Sequence, residues 1–251
     1  QGEFAGDRLG RFAGGVGDLD GDGLGDIALG SKSTTYSANA GSIRLFYGTN
    51  SFAFPDTIIS ANAFYKRIGY QLADKTDFNG DGYNDLVFSA DDSDVHMPNS
   101  GRVNVLHGPF ADGQLEIMNM DGIAIYGENS NDRSRCVRAA GDLDADGRDD
   151  ILIGSSNKHF DDDSDGSAVY AYFGEHGEGG RFLPENSVKF PTTYDGLGDC
   201  QSSHGTWLHH FVTPGDVNGD GFNDLLISSK HNDELDPDSL INVRLFWGEV
   251  R

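Results

Sequence analysis

The chain has 251 residues, among them 35 glycines, 16 phenylalanines and 9 tyrosines, a composition that leans towards turn-rich β structure in one domain spanning residues 1–251. Its 41 acidic and 18 basic residues give a formal charge of −23, which excludes nucleic acid and anionic membrane surfaces as partners, because both need basic patches. No apolar run approaches the roughly 20 residues of a bilayer span, so membrane insertion is not expected either.

In chain order, Gln1 opens directly into folded-looking sequence, as expected of a mature secreted chain or of a shortened one. EFAG (3–6) reads as an outer strand and RFAGGV (11–16) as the strand leading into GDLDGDGLGDIALG from Gly17. That segment is an acidic loop running straight into an apolar strand, and SIRLFYG, ending at Gly48, follows after a polar insert. DTIIS (56–60) is a further outer strand. The pattern then recurs as TDFNGDGYNDLVFS from Thr76 with RVNVLHG ending at Gly108 and AIYG (124–127) outside it. It recurs again as RCVRAA (135–140), GDLDADGRDDILIG from Gly141 and AVYAYFG ending at Gly174. The last copy is GDVNGDGFNDLLIS from Gly215 with NVRLFWG ending at Gly248.

The flanking runs alternate or stay apolar over five to seven residues and end in glycine, which predicts strands rather than helices. First loop aspartates at 18, 77, 142 and 216 are 59, 65 and 74 residues apart, a spacing that fits propeller blades of about four antiparallel strands better than the shorter units of a solenoid. The expectation is an all-β, four-bladed β-propeller. EFAG aligns with AIYG, so an N-terminal outer strand is expected to complete the last blade and close the ring. The rival is part of a larger ring.

Acidic or amide side chains recur at loop positions 1, 3, 5 and 9, with glycine at position 6 to allow a sharp bend and the carbonyl of position 7 as a further donor. The side-chain ligands expected are Asp18, Asp20, Asp22 and Asp26; Asp77, Asn79, Asp81 and Asp85; Asp142, Asp144, Asp146 and Asp150; and Asp216, Asn218, Asp220 and Asp224. Backbone ligands are expected from Leu24, Tyr83, Arg148 and Phe222. Such an oxygen cage suits Ca²⁺ at four structural sites; Mg²⁺ prefers several waters and strict octahedral geometry, and an EF-hand would need a bidentate Glu at position 12 and flanking helices. Solvated acidic turns without metal are the alternative. Cytosolic calcium would not fill such sites where extracellular calcium would, which favours a secreted or cell-surface location.

These loops resemble the FG-GAP repeat of integrin α-subunit propellers and of related bacterial and fungal propeller proteins, some of them lectins. The cation loops match in all four units, whereas the Gly-Ala-Pro element survives only as GSK, SAD, GSS and SSK. The resemblance implies a calcium-binding propeller that acts in adhesion or carbohydrate recognition, although integrin-type propellers have seven blades and propellers host many functions.

The loops at the rim opposite the cages carry Arg8, Arg11, Lys66, Arg67, Arg133, Arg135, Lys32, Lys158 and Lys230, nine of the 18 basic residues, with His96, His159, His231 and Tyr36. Seven residues before each first aspartate stand Arg11, Tyr70, Arg135 and His209, expected to ring the channel mouth and hold a carboxylate or sulfate. Surface ion pairs and ordinary strand packing are the plainer alternative. The expected ligands are therefore an anionic glycan, bound by Arg11, Tyr70, Arg135, His209, Lys32, Arg67, Lys158 and Lys230, or an extracellular protein. The catalytic alternative is a polysaccharide lyase in which Arg11 and Arg135 neutralise a uronate while His209 or Tyr70 removes the adjacent proton; a scaffold role within a larger protein is a third. The insertion from 185 to 207 offers Tyr194, His204 and Trp207 for stacking on a sugar, with Trp207 equally suited to filling a core gap, and Asp161, Asp162, Asp163 and Asp165 read as a solvated acidic loop in preference to another cation site. Cys136 and Cys200 form one disulfide in an oxidising compartment or stay separate thiols in a reducing one.

Overall fold

The computed structural model describes residues 9–31, 41–48, 55–60, 67–90, 93–94, 96–111, 113–116, 122–127, 130, 134–155, 168–174, 181–182, 188–191, 211–230 and 241–246. Among these residues the protein is all-β, without a helix, and its strands form four sheets. The first is the meander β1 (Leu9–Gly17), β2 (Asp26–Ser31), β3 (Ser42–Phe46) and β4 (Thr57–Ser60), every neighbour antiparallel. The second repeats it with β5 (Ile68–Leu72), β6 (Leu86–Ala90), β7 (Arg102–Leu106) and β9 (Gly122–Tyr126). The third contains β10 (Cys136–Gly141), β11 (Asp150–Ser155), β12 (Ala168–Tyr172) and β14 (Val188–Pro191); the fourth contains β15 (Phe211–Gly215), β16 (Asp224–Lys230) and β17 (Ile241–Phe246).

Two strands leave their own repeat. β8 (Gly113–Glu116), from the connection between β7 and β9, runs parallel to β4 and extends the first sheet. β13 (Arg181–Phe182), from the connection between β12 and β14, likewise runs parallel to β9 in the second. An outer strand otherwise presents unpaired N–H and C=O groups. Here the following repeat covers that edge, so the expected blade of about four strands gains a parallel fifth in the first two sheets. The expected closing strand, EFAG, lies outside the described residues.

The sheets pack in series: β5 lies on β1, β2 and β3, β10 on β5 and β6, and β15 on β10. One apolar cluster fills each junction, the first around Leu19, Leu45, Ile43 and Phe88, the second around Phe78, Val105, Ile151 and Tyr172, and the third around Leu143, Leu152, Phe211 and Ile227. Because strand side chains alternate between faces, Leu86 and Phe88 enter the first cluster and Val87 the second, which is why β6 reads as an unbroken apolar run. Each such fully buried side chain contributes about 1.5–3 kcal/mol.

The two end faces differ from these junctions. Ile27 of the first sheet is 38% exposed, whereas its register equivalents Leu86, Ile151 and Leu225 are at most 3% exposed. Leu245 of the last sheet is 37% exposed, whereas Leu45, Val105 and Ala171 are at most 1% exposed.

Candidate metal centres

The four acidic loops share one hydrogen-bonding scheme, built on the aspartate at position 1. Asp18 Oδ1 accepts from the N–H groups of Gly21 (2.7 Å) and Asp22 (3.1 Å), and Oδ2 from Gly23 (2.8 Å). Asp77, Asp142 and Asp216 accept from positions 5 and 6 in the same way. The position-5 carboxylate accepts from the N–H of position 7, at 2.7–3.0 Å across Leu24, Tyr83, Arg148 and Phe222. The loop thus closes on itself and leaves oxygen lone pairs facing its hollow.

Position 9 sits deeper. Asp26, Asp85, Asp150 and Asp224 are buried, and the carboxylates of the first three staple the loop to the sheet. Asp150 Oδ2 accepts from Leu143 N–H (2.6 Å) and Oδ1 from Gly174 N–H (2.8 Å). Asp26 binds Leu19 and Gly48 alike, and Asp85 binds Phe78 and Gly108. The strand-ending glycines follow from this contact. A Cβ on Gly108 would stand 2.6 Å from Asn84 O, and one on Gly174 would stand 2.6 Å from Arg148 Cβ. Burial raises the Asp26 carboxyl, with Asp20 and Asp18 adding to it, and pushes Asp150 up to about 7, with Asp144 and Asp142 adding. Asp26 and Asp150 therefore hold their protons more tightly than a free carboxylate does, and a cation beside them would oppose this.

The donor set fits a hard divalent cation. Oxygens of Asp18, Asp20 and Asp22 lie within 4.8 Å of one another, as do those of Asp142, Asp144 and Asp146. In the second and fourth loops an amide replaces the middle carboxylate, and its N–H stands in as the positive partner: Asn79 Nδ2 donates to Asp81 Oδ2 (2.9 Å) and Asn218 Nδ2 to Asp220 Oδ2 (2.7 Å). Arg148 compensates the third loop from outside, 2.9 Å from Asp146.

The sequence reading gave position 6 a backbone role and overlooked position 4. Gly21, Gly80 and Gly219 adopt φ of 71–81° there, and Ala145 is held at 59°. A left-handed non-glycine residue costs about 1–2 kcal/mol, partly offset by the extra unfolded-state freedom of glycine. Ala145→Gly is expected to stabilise the protein by about 0.5–1 kcal/mol, read from the urea midpoint; a loss of stability would contradict this account.

The proposed rim is only partly within the described residues. Antiparallel pairing puts the acidic loops at one end of each sheet and Arg67, Arg135 and Lys230 at the other. Arg67 occupies the turn before β5 with φ 57°. Tyr70, in β5, is buried, and the Arg135 guanidinium lies over its ring at 5.9 Å, so two of the four expected channel residues do meet. Beside them the Gln71 amide, turned to the orientation its neighbours require, accepts from Arg138 and donates to Arg135 O. Burial lowers the Arg138 pKa, which nearby Asp74 opposes. Arg11 and Lys230 belong to β1 and β16 by their backbones alone. Lys32, Lys158 and His209, together with Arg8, Tyr36, Lys66, Arg133, His159, Asp161, Asp162, Asp163, Asp165, Tyr194, His204, Trp207 and His231, lie outside the described residues. Cys136 is buried and disulfide-bonded; Cys200, the other cysteine of the sequence, lies outside them too.

No family model matches the chain. It is similar to integrin alpha-V of Gallus gallus, with 29% identity over 143 residues that cover 55% of this chain and 13% of that protein. The chain therefore spans a small part of that relative's length.

Proposed function

We propose that this protein is a secreted or cell-surface recognition module of the FG-GAP type, a β-propeller stabilised by Ca²⁺ in its four acidic loops, that binds an anionic glycan or an extracellular protein partner through the basic rim opposite the cages. The observation that carries this reading is the fourfold recurrence of one hydrogen-bonding scheme, with carboxylate oxygens that converge in the first and third loops. The similarity to integrin alpha-V, a cell-surface protein, and the bonded Cys136 support an oxidising, calcium-rich location. In this reading the four sheets are blades, and the bare faces that carry Ile27 and Leu245 close on one another.

Asp18, Asp20, Asp22 and their counterparts would hold the cation, which supplies positive charge to loops that otherwise gather carboxylates. Recognition falls to the other end, where Arg135 is poised over Tyr70. Tyr70 is only 5% exposed, a position suited to supporting the guanidinium rather than to removing a proton from a polysaccharide, which leaves His209 as the base of the lyase alternative.

The test is a screen of the calcium-loaded protein on neutral, carboxylated and sulfated glycans. Binding to the anionic set, weakened about tenfold or more by Arg135→Ala through loss of a charged hydrogen bond, is the expected result. Binding that Arg135→Ala leaves unchanged would remove the rim from the account, and cleavage of a uronate polymer would replace recognition by catalysis.

A further inference from the structure

Adjacent acidic loops are tied together by a residue outside the ligand set. Position 8 is Gly25, Asn84, Asp149 and Asn223 in the four loops. Asn84 grips position 1 of the preceding loop from both sides: its Oδ1 accepts from Asp18 N–H (2.8 Å), and its own N–H donates to Asp18 O (3.3 Å). Asp149 repeats the grip on Asp77, Oδ2 accepting from Asp77 N–H (2.8 Å) and its N–H donating to Asp77 O (2.9 Å). Asn223 holds Asp142 through Nδ2, which donates to Asp142 O (3.1 Å). Position 7 reinforces the contact, since Tyr83 packs over Gly21 and Arg148 over Gly80, where an added Cβ would meet them at 2.8 and 2.9 Å.

From these contacts we infer that Asn84, Asp149 and Asn223 are positioning residues that couple neighbouring cages, so that calcium fills the loops cooperatively. This rests on the calcium reading above. Position 8 adjoins position 9, whose carboxylate is stapled to position 2 and, in the first three loops, to the end of the third strand. A cation that orders one loop therefore fixes its position 8, and through it the backbone of the first ligand of the preceding loop. The coupling runs both ways, as any linkage between binding equilibria must. Gly25 has no side chain to extend the series beyond the first loop, so three clasps join four loops.

The experiment is a calcium titration of the intact chain, with calorimetry for the isotherm and the amide signals of Gly23, Gly82, Gly147 and Gly221 to read each loop separately. The unmodified protein is expected to give a Hill coefficient above one. Asn84→Ala is expected to weaken the first loop, read at Gly23, about fivefold or more while the fourth loop keeps its affinity. Asn223→Ala does the same to the third loop, read at Gly147, and Asp149→Asn, which keeps a side-chain acceptor, retains the coupling. Asn84→Gly reproduces the residue at the same position of the first loop and serves if the alanine variant is poorly folded. Equal affinities at Gly23 with and without the Asn84 side chain, or a uniform shift across all four loops, would overturn the inference and leave the cages standing. Absence of calcium binding by the unmodified protein would remove the cages and the coupling together.

Discussion

Chelating divalent cations is expected to lower the melting temperature by about 20 °C or more in a scan at pH 7.5, because four cages filled well above their dissociation constants contribute about 2–3 kcal/mol each and a domain of this size shifts about 2–4 °C per kcal/mol. The loss follows from the loops themselves. Without a cation, Asp18, Asp20 and Asp22 crowd one hollow, Asp142, Asp144 and Asp146 another, and the stapling carboxylates lie beneath them. The pH dependence of the chelated protein has a definite sign. Asp150 carries a pKa pushed up to about 7 in the folded state against a reference value of 3.8, and those of Asp20, Asp26 and Asp149 are raised as well. The folded state thus holds protons more tightly than the unfolded chain, and this stabilisation, full below about pH 4, is lost as pH rises through 7. The gap between calcium-loaded and chelated melting temperatures should therefore widen from pH 5 to pH 8. A melting temperature indifferent to chelator at pH 8 would refute the structural role of the cages.

The acidic loops were legible in the sequence because each needs only nine consecutive residues. The Asp and Asn at positions 1, 3 and 5 and the glycine at position 6 carry the signal, because the hydrogen bonds that close the loop run between residues of the loop itself. The short outer strands DTIIS and AIYG were legible for a similar reason, as apolar runs between turns, and they fall in β4 and β9. What escaped depends on a neighbouring repeat. Gln114 and Leu115 carry no strand signal of their own, and β8 exists because the edge of β4 offers it partners. The position-8 clasp escaped because its residue is Gly, Asn, Asp or Asn, types that serve equally well in a solvated turn, and its function is visible only once Asp18 stands opposite Asn84. Equal spacing placed Tyr70 and Arg135 at one level, but that the guanidinium would cover the ring is decided by the packing of β10 on β5.

Asp150→Ala should be among the most damaging single substitutions in the molecule, because it removes a staple as well as a proposed calcium ligand. Asp150 is completely buried, and its two oxygens satisfy Leu143 and Gly174, whose N–H groups have no water to turn to. Leaving two buried donors unpaired costs about 1–3 kcal/mol each, so a loss of about 2–6 kcal/mol is expected even in chelator. Asp85 is a less clean target, since His107 Nδ1 lies 3.3 Å from its Oδ1 and changes with it. The contrast within the same loop is Asp144→Asn, which installs the residue found at position 3 of the second and fourth loops, Asn79 and Asn218. It should raise stability in chelator slightly, by relieving one carboxylate repulsion, and reduce the gain on adding calcium, since affinity in such loops follows the number of charged ligands. Urea unfolding of both variants with and without calcium separates the two roles. If Asp150→Ala lost stability only in the presence of calcium, as Asp144→Asn should, the position-9 carboxylate would be a ligand alone and the staple would carry no weight.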